Sequence, residues 1–253
     1  MNNKFTILTS SYNKYDYLKE WMTSILAQKY RPLEVIFVDD CSDDKTKKLI
    51  KKFRKRFEEN DISFEYLRNK NRLHCSSSYR KAISAATGDF MGVLDADDML
   101  VEDAVEYIMR KYNEHEDIAW IYTQFAICNV KMKYIKDGFC RMPTKWGSML
   151  GSGERRKQLY SHWRTFSRRC TDVNAILPEG LRCAVDKYMG YKLEELGNGM
   201  FVNRVCYKYR MGVKKGIVAK ESTKATWKKL VQDILKNRNK NNIKPYPIIE
   251  GKP

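Results

Sequence analysis

Three carboxylates crowd one stretch of the chain, "VLDADDML" at 93–100, where Asp95, Asp97 and Asp98 follow directly on an apolar run. In extended backbone Asp95 and Asp97, at i and i+2, project to the same side and can share one divalent cation through oxygen ligands. Two carboxylates leave most of the octahedron of Mg²⁺ or Mn²⁺ open, which suits water and the phosphate oxygens of a substrate. The same residues also admit a local role, with Asp97 or Asp98 capping a helix that starts near Val101. A lone D-x-D does not decide between the two.

The elements that must hold these acids alternate along the first 130 residues. Apolar runs at 4–12, 33–40, 62–68, 90–97 and 118–127 read as strands. Helical periodicity marks 15–28, where Leu18, Met22, Ile25 and Leu26 share a face, and then about 43–59, about 76–86 and 101–112. Strand and helix alternating at this spacing mean βαβ units and a largely parallel sheet covered on both faces. Ligands of such sheets bind beyond the carboxyl ends of the strands, where the polar clusters "TSSYN", "VDDCSDD" and "LDADD" fall.

Composition bounds what that sheet can serve. A chain of 253 residues, 43% hydrophobic and 31% charged, has room for one large α/β domain or two small ones and reads as soluble and globular. No window approaches the ~18 to 20 apolar residues of a membrane span, and "MNNKFTILTSSYNK" lacks a secretory core, so the expected location is the cytoplasm, with any membrane contact peripheral. Seven cysteines without a CxxC pair argue for reduced thiols, against a disulfide framework and against a zinc knuckle. The net charge is +17, of which +1 lies in residues 1–140 and +16 in 141–253. The second part either faces an anionic partner or is a solvated basic surface, and charge alone names no partner.

Taken together, "TSSYNKYDYLKEWMTSILAQKYRPLEVIFVDDCSDD" and "ATGDFMGVLDADD" resemble a family 2 glycosyltransferase of the GT-A fold, with the opening strand, the VDD-x-S turn, the A-x-G-[DE]-[FY] lead-in and the D-x-D in family order. The resemblance covers about residues 4–130. It continues more loosely through "VDKYMGYKLEELGNGMFVNRVCYKYR" (185–210), which is similar to the family's ED-x-x-x-x-x-x-L-x-x-x-G segment and the strand after it. It implies an α/β fold with a Rossmann-like, mostly parallel central sheet flanked by helices. Within it, 1–130 would bind nucleotide-sugar and metal, 131–210 would bind the acceptor and carry a flexible loop and the base, and 211–253 would be a basic extension. The implied reaction transfers a sugar with inversion from a nucleotide-sugar, usually a UDP-sugar, to an acceptor hydroxyl, with Mn²⁺ or Mg²⁺ as cofactor.

Carried over residue by residue, the resemblance puts Ser10, Tyr12 and Asp40 where the family holds the nucleoside, Asp40 accepting a base N–H; turn chemistry is the plain alternative for Asp39 and Asp40. Asp95 falls where the family contacts ribose or metal. Asp97 falls where it ligates the metal bridging the diphosphate, whose charge grows as the glycosidic bond breaks. Asp186 aligns with the general base that deprotonates the acceptor hydroxyl. Here Val185 replaces the usual Glu and Lys187 follows, a neighbour expected to lower the pKa of Asp186. "SYR" stands for the usual A-R-N, so Arg80 either meets the diphosphate as a permanently charged fork or is a solvated helix residue. His74 sits where the family often has Gly.

Outside those motifs, "SHWRTFSRR" (161–169) lies between the D-x-D and the base, where some GT-A enzymes supply a His as a further metal ligand. His162 is that candidate, or else a packed histidine, and Arg164 can hold a phosphate or an anionic acceptor. "GSMLGSGERRKQ" (147–158), with three glycines, reads as a lid whose Arg155 and Arg156 meet the acceptor. A tail helix at 225–240 gathers Trp227, Leu230, Val231 and Leu235, and docks on the core, on an anionic membrane or on nucleic acid. The acceptor expected first is an anionic or lipid-linked glycan. Hydroxymethylated DNA with a flipped base is the alternative. A non-catalytic sugar-binding protein of the same fold is the third reading, opposed by the D-x-D and Asp186.

Overall fold

The run 33–39 shows no alternation because both its faces are covered: all seven residues of β2 (Leu33–Asp39) are buried. In the computed structural model, which describes residues 3–143, 159–182, 184–213 and 224–252, this strand sits inside a sheet. Around it run β1 (Phe5–Ser11), α1 (Tyr15–Leu26), α2 (Thr46–Glu58), β3 (Ile62–Arg68), α3 (His74–Ala85), β4 (Phe90–Val93), β5 (Met99–Leu100) and α4 (Ala104–Glu114). The rest comprises β6 (Ile118–Cys128), β7 (Tyr134–Asp137), β8 (Arg164–Ser167), α5 (Val173–Ile176), α6 (Val185–Leu193), β9 (Asn198–Arg210), α7 (Lys224–Lys240) and β10 (Ile248–Gly251).

The strands form one sheet in the order β10-β9-β6-β8-β4-β1-β2-β3, with β5 beside β9 and β7 beside β6. Strands β4, β1, β2 and β3 are mutually parallel, as are β6, β9 and β10. This is the expected mostly parallel α/β sheet. One strand joins its two parallel blocks: β8 runs antiparallel between β4 and β6. Gly92 lets it approach, since a Cβ there would stand 2.8 Å from the rings of Trp163 and Phe5. Trp163 is fully buried against Phe5, 5.5 Å between ring centres.

Two expectations change. The run 90–97 is not one strand: the chain leaves β4 at Val93 and turns, Asp98 N donating to Asp95 O at 3.1 Å, before β5 pairs antiparallel with β9. The extended backbone assumed for Asp95 and Asp97 is therefore replaced by a turn. The segment 211–253, read as an extension, closes the sheet, because β10 pairs parallel with β9. Helix α7 docks on the core, with Val231, Ile234 and Arg238 buried and Arg238 Nε donating to Glu195 Oε1 at 2.7 Å. The buried face is thus centred on Ile234 rather than on Leu230 and Leu235, which are half-buried. The side chain of Trp227 lies outside the described residues.

At the amino ends of the central strands, the "ATGDF" lead-in has a structural meaning. Thr6 Oγ1 donates to Glu34 Oε2 at 2.6 Å, and Thr87 donates to the same carboxylate through N at 2.8 Å and Oγ1 at 2.6 Å. Burial raises the Glu34 carboxyl, but these hydrogen bonds and Lys4 outweigh it and hold it below its ordinary range. A depressed folded value stabilises the protein above the unfolded value of 4.5, and that stabilisation is lost as pH falls through the folded value. Urea unfolding should therefore find Glu34→Gln about 1–3 kcal/mol less stable than the parent at pH 7, with the two converging in acid. A constant gap down to pH 3 would show that the charge of Glu34 is not what holds the strands.

Candidate active site

The turn after β4 is held from three sides. Tyr79 Oη, from α3, donates to Asp95 Oδ1 at 2.7 Å, and Asp95 N donates to Tyr207 Oη at 3.2 Å. Tyr207 in turn donates to Asp98 Oδ2 at 2.7 Å, and Arg210 N donates to Asp98 Oδ1 at 2.7 Å. Asp97 faces the other way in chemical terms: Lys14 Nζ pairs with its carboxylate at 2.5 Å, and Arg210 Nε donates to its carbonyl at 2.7 Å. Burial first, then the charges of Asp97 and Asp95, pushes Asp98 well above the usual carboxylate range.

Strand β8 delivers the next two groups. His162 is buried between two tyrosine rings, 4.6 Å from Tyr207 and 5.3 Å from Tyr209, each within 15° of parallel. Burial pushes its imidazole down to about 3, with the Arg164 charge adding, so the ring is neutral and can offer a nitrogen lone pair. One ligand atom each from Asp95, Asp98 and His162 lies within 4.8 Å of the others. Two carboxylates and a neutral imidazole fit Mn²⁺ well, and Mg²⁺ less well because of the nitrogen. A divalent cation would also offset the crowding that raises Asp98.

Beside this group opens a cavity of about 390 Å³ lined by Asp95, His162, Arg164, Asp186, Met189 and Tyr209, among others. It brings together Asp95 and Asp186, which the sequence separates by 91 positions. Arg164 is buried; burial opposes its charge, but Asp186 and Asp95 outweigh that and hold the guanidinium above its ordinary value. Its Nη1 donates to Ser161 O, while its Nε has no protein partner although buried. Asp186 stands in the first turn of α6, directly after Ala184, whose φ of 56° is a left-handed conformation that costs a non-glycine residue about 1–2 kcal/mol. A larger hollow of about 540 Å³, lined by Asn3, Asp89, Tyr112 and Arg168, contains none of the residues singled out from sequence.

A second set of groups gathers at the ends of β1 and β2. Asp40 is buried and accepts from Asn69 Nδ2, Leu73 N and His74 N, each at 2.8 Å, so it secures the loop entering α3. An ionised carboxylate has about four acceptor sites, which leaves room for one further donor. Asp39 likewise accepts from three donors, Tyr66 Oη, Arg68 Nη1 and Ser42 N. Ser10 is half-buried at the end of β1, and the Tyr12 ring lies 3.9 Å beneath the Arg72 guanidinium. Nε of Arg72 and Nδ1 of His74 are buried without protein partners. Arg72 does not stand out in the sequence. His74 does carry a signal in hindsight: its φ of 66° is what a glycine at that position would supply without strain.

Not every candidate joins these sets. Arg80 donates from Nη1 to Val173 O at 3.0 Å and Leu177 O at 2.6 Å, so its guanidinium clamps α5 to α3 instead of standing free as a fork or in solvent. Arg155 and Arg156, with the loop 147–158, lie outside the described residues.

Residues 6–171 match the Glycosyl transferase family 2 profile. The chondroitin synthase of Escherichia coli is 28% identical over 202 residues, which cover 80% of this chain and 28% of that protein. The hyaluronan synthase of Pasteurella multocida is likewise 28% identical over 202 residues, covering 80% and 20%. The chain thus spans less than a third of the length of these relatives. Among solved structures, S. aureus TarS 1-349 in complex with UDP-GlcNAc is similar with a TM-score of 0.68 at 19% identity, covering 93% of this chain and 72% of that one. The mannosyltransferase PcManGT from Pyrobaculum calidifontis, in complex with GDP-Man and Mn²⁺, gives 0.62 at 16%, covering 87% and 60%. At such identities the likeness is one of fold, the GT-A arrangement.

The three hydrogen bonds on Asp40 generate an expectation that needs no nucleotide. Asp40→Asn should lower stability by about 1.5–3 kcal/mol in urea unfolding without any ligand, since it turns an acceptor toward buried backbone donors into a partial donor. Unchanged stability would confine Asp40 to ligand binding.

Proposed function

The chain belongs to glycosyl transferase family 2, and from that premise we propose that it transfers a sugar from a UDP-sugar to a hydroxyl of an anionic glycan, with a divalent cation and with inversion. The observation that carries this reading is the shared cavity of Asp95, His162, Arg164 and Asp186, in which two members of the metal-ligating set, Asp95 and His162, and a candidate base line the same space. Ser10, Tyr12 and Asp40, with Arg72 and His74 beside them, would hold the nucleoside. The unpartnered nitrogens of Arg72 and His74 are the kind of buried donors and acceptors that a polar ligand completes.

Asp95 and His162 would hold Mn²⁺ or Mg²⁺, joined by Asp98 or, if Lys14 is displaced, by Asp97. The cation, when bound, stabilises the charge that grows on the leaving diphosphate. Asp186 takes the proton of the acceptor hydroxyl as that oxygen attacks the anomeric carbon from the face opposite the diphosphate. Arg164 lies close enough to Asp95 and Asp186 for their charges to raise its own pKa, and it offers its unpartnered Nε to an anionic oxygen. An anionic acceptor is supported by the +16 carried on residues 141–253 and by the two glycosaminoglycan synthases among the relatives. No helix among the described residues is long and apolar enough to cross a membrane.

The test is a screen of UDP-sugar turnover with and without Mn²⁺, followed by Asp186→Asn in the same assay. Transfer to an oligosaccharide acceptor should fall about 10²- to 10⁴-fold while donor binding measured by calorimetry survives. Transfer near the parental rate would remove Asp186 from the role. Turnover insensitive to metal chelation would remove the cation.

A further inference from the structure

The stacked rings beside the cavity have an outer surface that the transfer reaction does not explain. Tyr207 and Tyr209, two apart on β9, project to one side, and the His162 imidazole is inserted between them. One face of Tyr209 is therefore taken by His162, and its edge is braced by Phe125 at 82° and 6.2 Å. The ring is still 37% exposed, and it walls the same cavity as Asp186, Val185 and Met189. Phe139, 50% exposed, continues the surface outward; it stands edge-on to Phe125 at 5.3 Å. That contact depends on Gly138, where a Cβ would lie 2.3 Å from the Phe125 ring.

We propose that Tyr209, with Phe139 beyond it, is the platform on which a pyranose ring of the acceptor stacks while its hydroxyl reaches Asp186. The inference rests on the transferase reading above and adds to it a binding surface for the acceptor. A pyranose presents a face of C–H groups ringed by hydroxyls, and an aromatic face satisfies the first without competing for the second. Tyr209 lines the cavity together with Asp95 of the carboxylate turn and with Asp186. A nucleobase is the wrong occupant, because Ser10, Tyr12 and Asp40 do not line this cavity. The sugar that must come within reach of Asp186 does enter it. Phe139, joined to Tyr209 through the Phe125 ring that touches both, offers a second exposed aromatic position, which suits an oligosaccharide better than a single sugar.

The experiment is steady-state kinetics with UDP-sugar and a panel of short oligosaccharides, chondroitin hexasaccharide included, using the acceptor that the parent protein glycosylates. Tyr209→Ala should raise the acceptor KM about tenfold more than it raises the donor KM, and Tyr209→Phe, which keeps the ring, should stay near the parent. Phe139→Ala, remote from His162, should raise the KM of the hexasaccharide more than that of a disaccharide. Equal changes in donor and acceptor KM, or Tyr209→Phe as impaired as Tyr209→Ala, overturn the platform and leave the transferase reading standing. A parent protein that turns over no UDP-sugar overturns both. Unfolding monitored by circular dichroism separates these outcomes from loss of the fold, and the Phe139 variant tests the surface independently if Tyr209→Ala does not fold.

Discussion

Crowding three carboxylates on one turn, Asp98 buried and Asp95 and Asp97 half-buried, is the constraint around which the rest of the molecule is arranged. Isolated, a buried ionised acid is costly enough that it usually neutralises instead. Here the cost is spread. Asp95 is held by Tyr79, Asp97 by Lys14, and Asp98 by Tyr207 and the Arg210 backbone, while Arg164 lies close enough to Asp95 and Asp186 for their charges to raise its own pKa. These partners come from α1's approach, α3, β8 and β9, so the acids tie together elements from both ends of the sequence. The balance is incomplete, since Asp98 is still driven toward its neutral form. A cation bound at this turn would relieve the burial and crowding that drive Asp98 toward its neutral form.

The strand that makes this possible is β8. A wholly parallel continuation from β4 to β6 would have left the carboxylate turn facing only helices. Inserting four residues antiparallel brings His162 and Arg164, which lie just before and at the start of that strand, to the carboxyl end of β4. The insertion is bound by backbone pairing on both sides and by Trp163, seated over the bare backbone of Gly92. From this placement follows the stack of His162 between Tyr207 and Tyr209, which excludes water from the imidazole and keeps it neutral. Packing here sets chemistry: the same burial that lowers the histidine leaves it a lone pair to offer to a metal.

The first half of the fold was legible in the sequence because each of its elements has a strong local period and ends in turn-forming polar residues. All four helices of that half and strands β1 to β3 begin within three residues of where the pattern puts them. The carboxylate turn was misread because "FMGVLDADD" is apolar up to its end, and nothing local announces that the chain bends after Val93. Strand β8 was hidden for a different reason. Four residues, "RTFS", carry too little alternation to mark a strand, and its pairing partners are remote in sequence. The same holds for β10. Of the candidate residues, the acids were visible from type and spacing, whereas Arg80 looked like a phosphate fork because its carbonyl partners, Val173 in α5 and Leu177 just after it, sit more than 90 positions away. Arg72 went unnoticed because a single polar residue in a loop has no period, and His74 was marked only as standing where the family often has Gly.

Coordination of a metal by His162 is the claim on which the site stands, and pulsed electron paramagnetic resonance reads it directly. With Mn²⁺ and UDP bound to the full chain, the spin-echo modulation should carry the frequencies of one directly coordinated histidine nitrogen, and those frequencies should vanish in His162→Gln. Mn²⁺ held with phosphorus couplings from UDP but no nitrogen modulation would contradict it, leaving His162 a packed ring and the cation to the carboxylates alone.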